Sequence, residues 1–174
     1  MCRGLIKGLD MFGLIRTAIL SLALAFGAGA VLAQNFQKAL AAYDAGDYVT
    51  ALKEWLPLAE QGNLDAQHNM GLMYYNGWGV LQDYAEAIKW YRLAAKQGDA
   101  SPQNYIGGMY YEGKGVLQDY VMAHMWYNIA SANGHKEAGE WRDKTAAKMT
   151  TADISKAQYM ARECMSSNYE TCGW

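Results

Sequence analysis

From Ala66 onward the apolar positions fall into two kinds of helical stripe that alternate along the chain. Ala66, Met70 and Tyr74 stand at i, i+4 and i+8, one face of an α-helix, here called helix A. Gly71 lies on that face as well. A glycine inside a helix costs about 1 kcal/mol relative to alanine, so the pattern predicts close approach of a neighbouring helix there. Gly77 and Gly79 end the stripe and supply the freedom for a left-handed turn. A second stripe, helix B, then carries Ala87, Trp90/Tyr91 and Ala94, small residues alternating with large ones. Asp83 stands where its carboxylate would cap helix B, and Gly98 stops it.

The whole pattern returns after 36 residues. Gln67 to Gly98 overlays Gln103 to Gly134, with Gly71, Tyr74, Gly77 and Gly79 falling on Gly107, Tyr110, Gly113 and Gly115. Val80-Leu81-Gln82-Asp83-Tyr84 recurs unchanged as Val116-Leu117-Gln118-Asp119-Tyr120. Ala87, Trp90, Tyr91, Ala94 and Gly98 meet Ala123, Trp126, Tyr127, Ala130 and Gly134. A fixed period of this length means stacked units, none able to bury its apolar face alone. Pro102 opens the second helix A, a position proline tolerates.

Half the pattern precedes the full units. Asp47, Tyr48, Ala51, Leu52, Lys53, Ala59, Gln61 and Gly62 sit 36 residues before Asp83, Tyr84, Ala87, Ile88, Lys89, Ala95, Gln97 and Gly98. Phe36 to Tyr43 supplies a helix A, and Asp44-Ala45-Gly46 replaces the two-glycine loop. Pro57 falls within helix B and is expected to kink it. After Gly134 the pattern decays. His135 to Lys148 reads as a further helix A. Thr150, with Asp153 three residues on, opens a last helix of about 15 residues through Cys164.

The string Ala-Gln-x3-Gly-x2-Tyr-x2-Gly-x-Gly-Val-x2-Asp-x3-Ala-x2-Trp-Tyr-x2-Ala-Ala-x-Gln-Gly, read from Ala66 to Gly98, resembles the Sel1-like repeat. The second copy departs at Pro102, Ser131, Ala132 and Asn133. The resemblance covers residues 35–135 well and the C-terminal tail loosely, and is similar to short exported bacterial members with a cysteine pair. It implies an all-α fold, an α/α solenoid related to the tetratricopeptide class, in a right-handed superhelix of three to four hairpins. Residues 34–62 would be a degenerate first hairpin, 66–98 and 102–134 full repeats, and 135–174 capping helices. The resemblance implies an adaptor that binds another protein, with no catalysis, and carries over no active-site residue.

The N-terminal fifth of the chain adds an address. Arg3, Lys7 and Arg16 precede an uncharged apolar run from Thr17 to Ala30, and Val31-Leu32-Ala33 presents small or apolar residues ahead of Gln34. This is the form of a secretory signal cleaved after Ala33. Met11 opens a shorter segment of the same form. The alternative is an uncleaved anchor, for which 17 residues after Arg16 reach the short limit. Cleavage would leave 12 basic and 16 acidic residues, a net charge of −4. That balance argues against nucleic acid, which requires a basic face. Nor would a cleaved chain keep a membrane segment, so the protein is expected in the periplasm or medium.

Cleavage also removes Cys2 and leaves Cys164 and Cys172, an even pair that reads as a disulfide in an exported protein. Eight residues of continuous helix span about 12 Å, whereas a disulfide needs Cα atoms within about 7 Å. The last helix must therefore end between them, and Ser166-Ser167-Asn168 is a suitable place.

Catalytic and metal chemistry find little footing. His68, His124 and His135 lack a His or Glu at metal-ligand spacing, and no cofactor is expected. Some cysteine-rich relatives have been linked with penicillin binding, which raises a β-lactamase-like alternative. That chemistry needs Ser-x-x-Lys. Ser101, Ser131, Ser155, Ser166 and Ser167 all lack the lysine, and only Thr145 to Lys148 has the spacing, with threonine in place of serine. Two alternatives to an adaptor stand beside it: a protein that binds or hydrolyses cell-wall material, and a membrane-tethered regulator of an envelope sensor.

Six tryptophans and thirteen tyrosines are the remaining lead, since both residue types favour interfaces. Those that recur with the repeat are assigned to the core. The helix A face opposite Ala66, Met70 and Tyr74 carries Asn69, Met73 and Asn76, and its copy carries Tyr105, Met109 and Glu112. These six are the expected protein-binding residues.

Overall fold

The computed structural model describes residues 33–173, and every regular element among them is helical. The predicted signal, apart from its last residue, lies outside the described residues. Helix α1 covers 33–44 of the described chain. It is followed by α2 (Tyr48–Glu60), α3 (Leu64–Asn76), α4 (Tyr84–Ala95), α5 (Ala100–Glu112), α6 (Tyr120–Ala132), α7 (Ala138–Ala146) and α8 (Thr151–Ser166). Successive helices pack as hairpins, α3 on α4 and α5 on α6, and each hairpin docks on the next through α4 and α5. The fold is the expected α/α solenoid.

Local chemistry places the ends. Asp47, Asn63, Asp83, Asp99, Asp119 and Thr150 each accept a backbone N–H at the start of a helix. Gly77 and Gly113 terminate α3 and α5 in the left-handed conformation, at φ 72° in both. The repeated loop then returns to satisfy the carbonyls it leaves behind. Gln82 Nε2 donates to Tyr75 O at 2.8 Å, and Asp83 N donates to Tyr74 O at 3.0 Å. Gln118 and Asp119 do the same for Tyr111 and Tyr110. These bonds, with the helix caps of Asp83 and Asp119, account for the Gln-Asp pair in the repeated block.

The second loop glycine does different work. A Cβ on Gly79 would lie 2.6 Å from the carbonyl carbon and oxygen of Tyr48, and one on Gly115 would lie 2.6 Å from Tyr84 O. Each loop therefore rests on the first turn of helix B of the preceding unit, with no room for a side chain. A polar ladder joins the units elsewhere. Gln67 Nε2 donates to Ala59 O at 3.0 Å, and Gln103 Nε2 to Ala95 O at 3.1 Å, both buried. Gln97 in turn donates to Gln67 Oε1 at 2.8 Å, and Asn133 to Gln103 Oε1 at 2.8 Å. The Asn133 departure from the repeat thus keeps the repeat's bond.

Pro57 lies in the final turn of α2, which continues past it to Glu60. The C-terminal part of the chain differs from expectation. Residues 135–137 form a turn rather than helix, and α7 begins only at Ala138. Nor do α7 and α8 pair as a hairpin: both lie against α6. The small residues Ala157, Ala161 and Cys164 are buried on α8 and permit that approach.

Cys164 and Cys172 form the expected disulfide, with Cα atoms 4.6 Å apart. Helix α8 ends at Ser166, as that geometry demands. The tail turns back through Asn168 and Tyr169, both at positive φ, and buries Cys172 beside α6.

Candidate protein-binding face

Helix periodicity sets which residues of α3 and α5 can meet a partner. At about 100° per residue, Met73 lies seven residues from Ala66 and returns to within about 20° of it. The structure agrees: Met73 is 0 % exposed and Met109 1 %. Both pack in the core and leave the candidate set, because a buried side chain cannot touch a partner. Asn76 and Glu112 are exposed, and Asn69 and Tyr105 half-buried. These four share one side of their helices with Leu72 and Gly108.

Tyr105 rests on a platform that begins with Gly71. Tyr91 reaches from α4 onto α3 and its ring lies against Gly71, where no Cβ would fit. Tyr105 of the next unit stacks on Tyr91, with ring centroids 4.9 Å apart and planes 8° apart. The arrangement repeats: Tyr127 occupies the space beside Gly107, and Trp141 of α7 stacks on Tyr127 at 6.3 Å and 20°. Tyr75 meets Tyr105 edge-on at 5.9 Å, and Tyr111 meets Trp141 at 6.0 Å. The predicted close approach at Gly71 is therefore made by a ring, and its purpose is to sink Tyr91 completely so that Tyr105 can stand on it.

Cations flank the ladder. Lys114 Nζ donates to Tyr75 Oη at 3.2 Å, sits 5.3 Å from that ring's centre and pairs with Glu112 at 2.6 Å. The bond to Glu112, then the one to Tyr75, raises the lysine above its ordinary range. Lys148 lies 4.8 Å from the Tyr111 ring, and Lys144 4.4 Å from Trp141. Burial, chiefly, pushes the Tyr91, Tyr105 and Tyr127 phenols up, so all three are neutral near pH 7.

His68 completes the seam between α3 and α5. Its ring centre is 6.2 Å from Tyr91 and 6.0 Å from Tyr105, and Nδ1 is 3.6 Å from Asp99. Burial lowers its pKa more than Asp99 raises it, so the imidazole is neutral at pH 7. His124 is buried in α6, where burial and then Arg142 lower its pKa. His135 Nδ1 lies 3.7 Å from Glu137. Thr145 is buried and donates to Trp141 O at 2.7 Å, while Lys148 is drawn to the Tyr111 and Tyr120 rings. The pair singled out by its spacing is thus not assembled. Among the described residues no three His, Cys, Asp or Glu come together as a metal site, and no helix is long and apolar enough to cross a membrane.

Known proteins match this architecture. The Sel1 repeat model matches residues 64–99 and 103–135. A solved Sel1 repeat protein from Oxalobacter formigenes is 30 % identical, with a TM-score of 0.60 over 73 % of this chain and 98 % of that one. The chain belongs to the Sel1 repeat family. A second structure similar to this Sel1 repeat protein is a protective antigen present in uropathogenic Escherichia coli strains, displaying an SLR fold. It is 27 % identical, with a TM-score of 0.73 over 79 % of this chain, and the chain spans 31 % of its length. No curated protein matches. The matched segments take in α3 to α6, so the aromatic platform is built by repeats of this Sel1 protein and completed by α7. Sequence reasoning passed over Tyr75, Tyr111 and Trp141: recurrence placed Tyr75 and Tyr111 in the core, and Trp141, 39 % exposed, lies past Gly134 where the pattern decays.

Proposed function

We propose that this Sel1 repeat protein is an exported adaptor that binds another protein through the face carrying Asn69, Asn76, Tyr105 and Glu112. Sel1 repeats generally mediate protein–protein interaction. The observation that carries the reading here is the repeated platform, in which buried Tyr91 and Tyr127 hold Tyr105 and Trp141 in fixed, partly exposed positions. Rigid aromatic side chains are favoured anchors because they bury much area for little lost freedom. Export is supported by the signal-like residues 1–33 and by the disulfide, a bond that persists in oxidising compartments. Cleavage after Ala33 would release the solenoid into the periplasm or medium.

The test is site-directed photo-crosslinking in the cell envelope. A crosslinker at Asn76 should capture a protein, while one at Leu93, exposed on α4, should not. Tyr105→Asp combined with Glu112→Lys should abolish capture with an unchanged circular dichroism spectrum. Capture of glycan alone would favour the cell-wall alternative, and an N-terminus retaining residues before Gln34 would favour the tethered regulator.

A further inference from the structure

The turns that join each helix B to the next helix A carry Gly62, Gly98 and Gly134, one repeat apart. Two of these equivalent turns differ in what covers them. At Gly98 the C-terminal tail is seated: a Cβ there would lie 3.6 Å from Tyr169 Cε2, and the Tyr169 hydroxyl accepts from Asn133 Nδ2 at 2.8 Å. At Gly62 a Cβ would meet nothing within 4 Å among the described residues, and a groove of about 280 Å³ opens, lined by Leu58, Gln61, Gly62 and Asn63. Those four are the repeat equivalents of Ala94, Gln97, Gly98 and Asp99. The open groove is therefore the copy of the floor on which Tyr169 rests.

The two floors are continuous. Gln97, the equivalent of Asn133, donates to Gln67 Oε1 at 2.8 Å as Asn133 donates to Gln103. It stands beside Gly98 and reaches Gly62 O at 3.1 Å. One side-chain amide thus links the occupied site to the open one.

We propose that the groove beside Gly62 receives a tyrosine presented on a turn of another polypeptide, as the floor beside Gly98 receives Tyr169. The chain's own tail supplies the pattern of the ligand: an aromatic ring over a glycine floor with its hydroxyl on a seam amide. Such a ring contributes most of the area that a small contact can bury. One difference sets the polarity of the bond. Gln97 spends its second amide hydrogen on Gly62 O, so the incoming phenol donates to Gln97 Oε1. Asparagine at 97 would be shorter, like Asn133, and would offer that hydrogen to the phenol. The groove lies on the turn edge, away from the face proposed above, and the two proposals fail independently.

The test uses the folded chain from residue 34, labelled for NMR, and a disulfide-closed peptide of residues 164–173. The Gly62 amide should shift and saturate, and the shift should vanish when the peptide's tyrosine is replaced by alanine. Gln97→Asn should tighten binding several-fold. Gln61→Trp should fill the groove and abolish binding while leaving the circular dichroism spectrum unchanged. In Tyr169→Ala the peptide should also shift Gly98, the emptied original site. A shift at Gly98 in Tyr169→Ala with Gly62 unmoved throughout overturns the proposal, as does no shift at either glycine.

Discussion

Tyr91 and Gly71 stand in direct contact across the α3–α4 hairpin, the ring of one filling the space where the other would carry a Cβ. Tyr127 and Gly107 repeat the relationship, with a Cβ at Gly107 only 2.7 Å from Tyr127 Cδ1. Gly71→Ala sets two effects against each other. Alanine gains about 1 kcal/mol of helix propensity, but overpacking a close contact costs typically about 1–3 kcal/mol. The ring cannot retreat, because Tyr105 stacks on it. We expect a net loss of stability in urea unfolding, partly restored when Tyr91→Leu is added. A stabilised Gly71→Ala protein would show that the ring yields.

The seam amides give a second expectation. Gln103 is fully buried, donates to Ala95 O and accepts from Asn133. Gln103→Leu would remove both bonds, though Ala95 O keeps Gly98 N and Asn133 keeps Tyr169, a loss of about 0.5–1.5 kcal/mol per bond. The exposed Gln97 should cost less when changed to leucine, since water can replace its bonds. Equal losses at the two positions would refute the distinction between buried and open rungs.

Stability should depend on pH through His68 and His124. Burial holds both imidazoles below the ordinary histidine value of about 6.5. The unfolded chain therefore binds more protons than the folded one as pH drops below that value. Stability is present above about pH 6.5 and is lost as pH falls through 6.5 toward the lowered folded values. His68→Asn, which copies Asn104 of the next repeat, should flatten the profile between pH 7.5 and 5 in urea titrations. An unchanged slope in this variant and in His124→Ile would exclude the two histidines as its source.

Removing the disulfide tests how far the tail's influence extends. Closing so short a loop is worth about 2–3 kcal/mol in the chain-entropy model. In a solenoid each unit contacts only its neighbours, so Cys172→Ser should raise hydrogen exchange in α8, the tail and α6. Helices α2 and α3 should keep their protection. Exchange that rises evenly from α2 to α8 would mean that the stack unfolds as one body.

The sequence made some of these features legible and hid others for physical reasons. Period and glycine placement located the helices, the loops and the tight spot at Gly71, because each depends on residues close in the chain. Cys164 and Cys172 fixed where α8 had to stop through bond geometry alone. Met73 and Met109 were misplaced although the signal was present: seven residues is nearly two full turns, so they share the stripe of Ala66 and Pro102. The buried arc of α3 is wide, taking in Ala66, Gln67, Met70, Gly71 and Met73, since it is covered by both α2 and α4. A stripe drawn at i and i+4 is too narrow for such a helix. The docking of both α7 and α8 on α6, and the return of Tyr169 to Gly98, were not legible at all. Both arise from contacts between segments that share no repeat.

The way α7 and α8 both cover α6 bears on how such a protein can change length. Within the stack every hairpin presents its neighbour with the same glycine seat and the same amide rung, so an added unit of 36 residues finds its connections ready made. Beyond α6 those connections are occupied by helices that do not form a hairpin and by a tail locked in place with a covalent bond. The array can therefore be lengthened by inserting units between existing ones but not by adding them after the last. Longer versions of the array are expected to carry their extra copies in the interior.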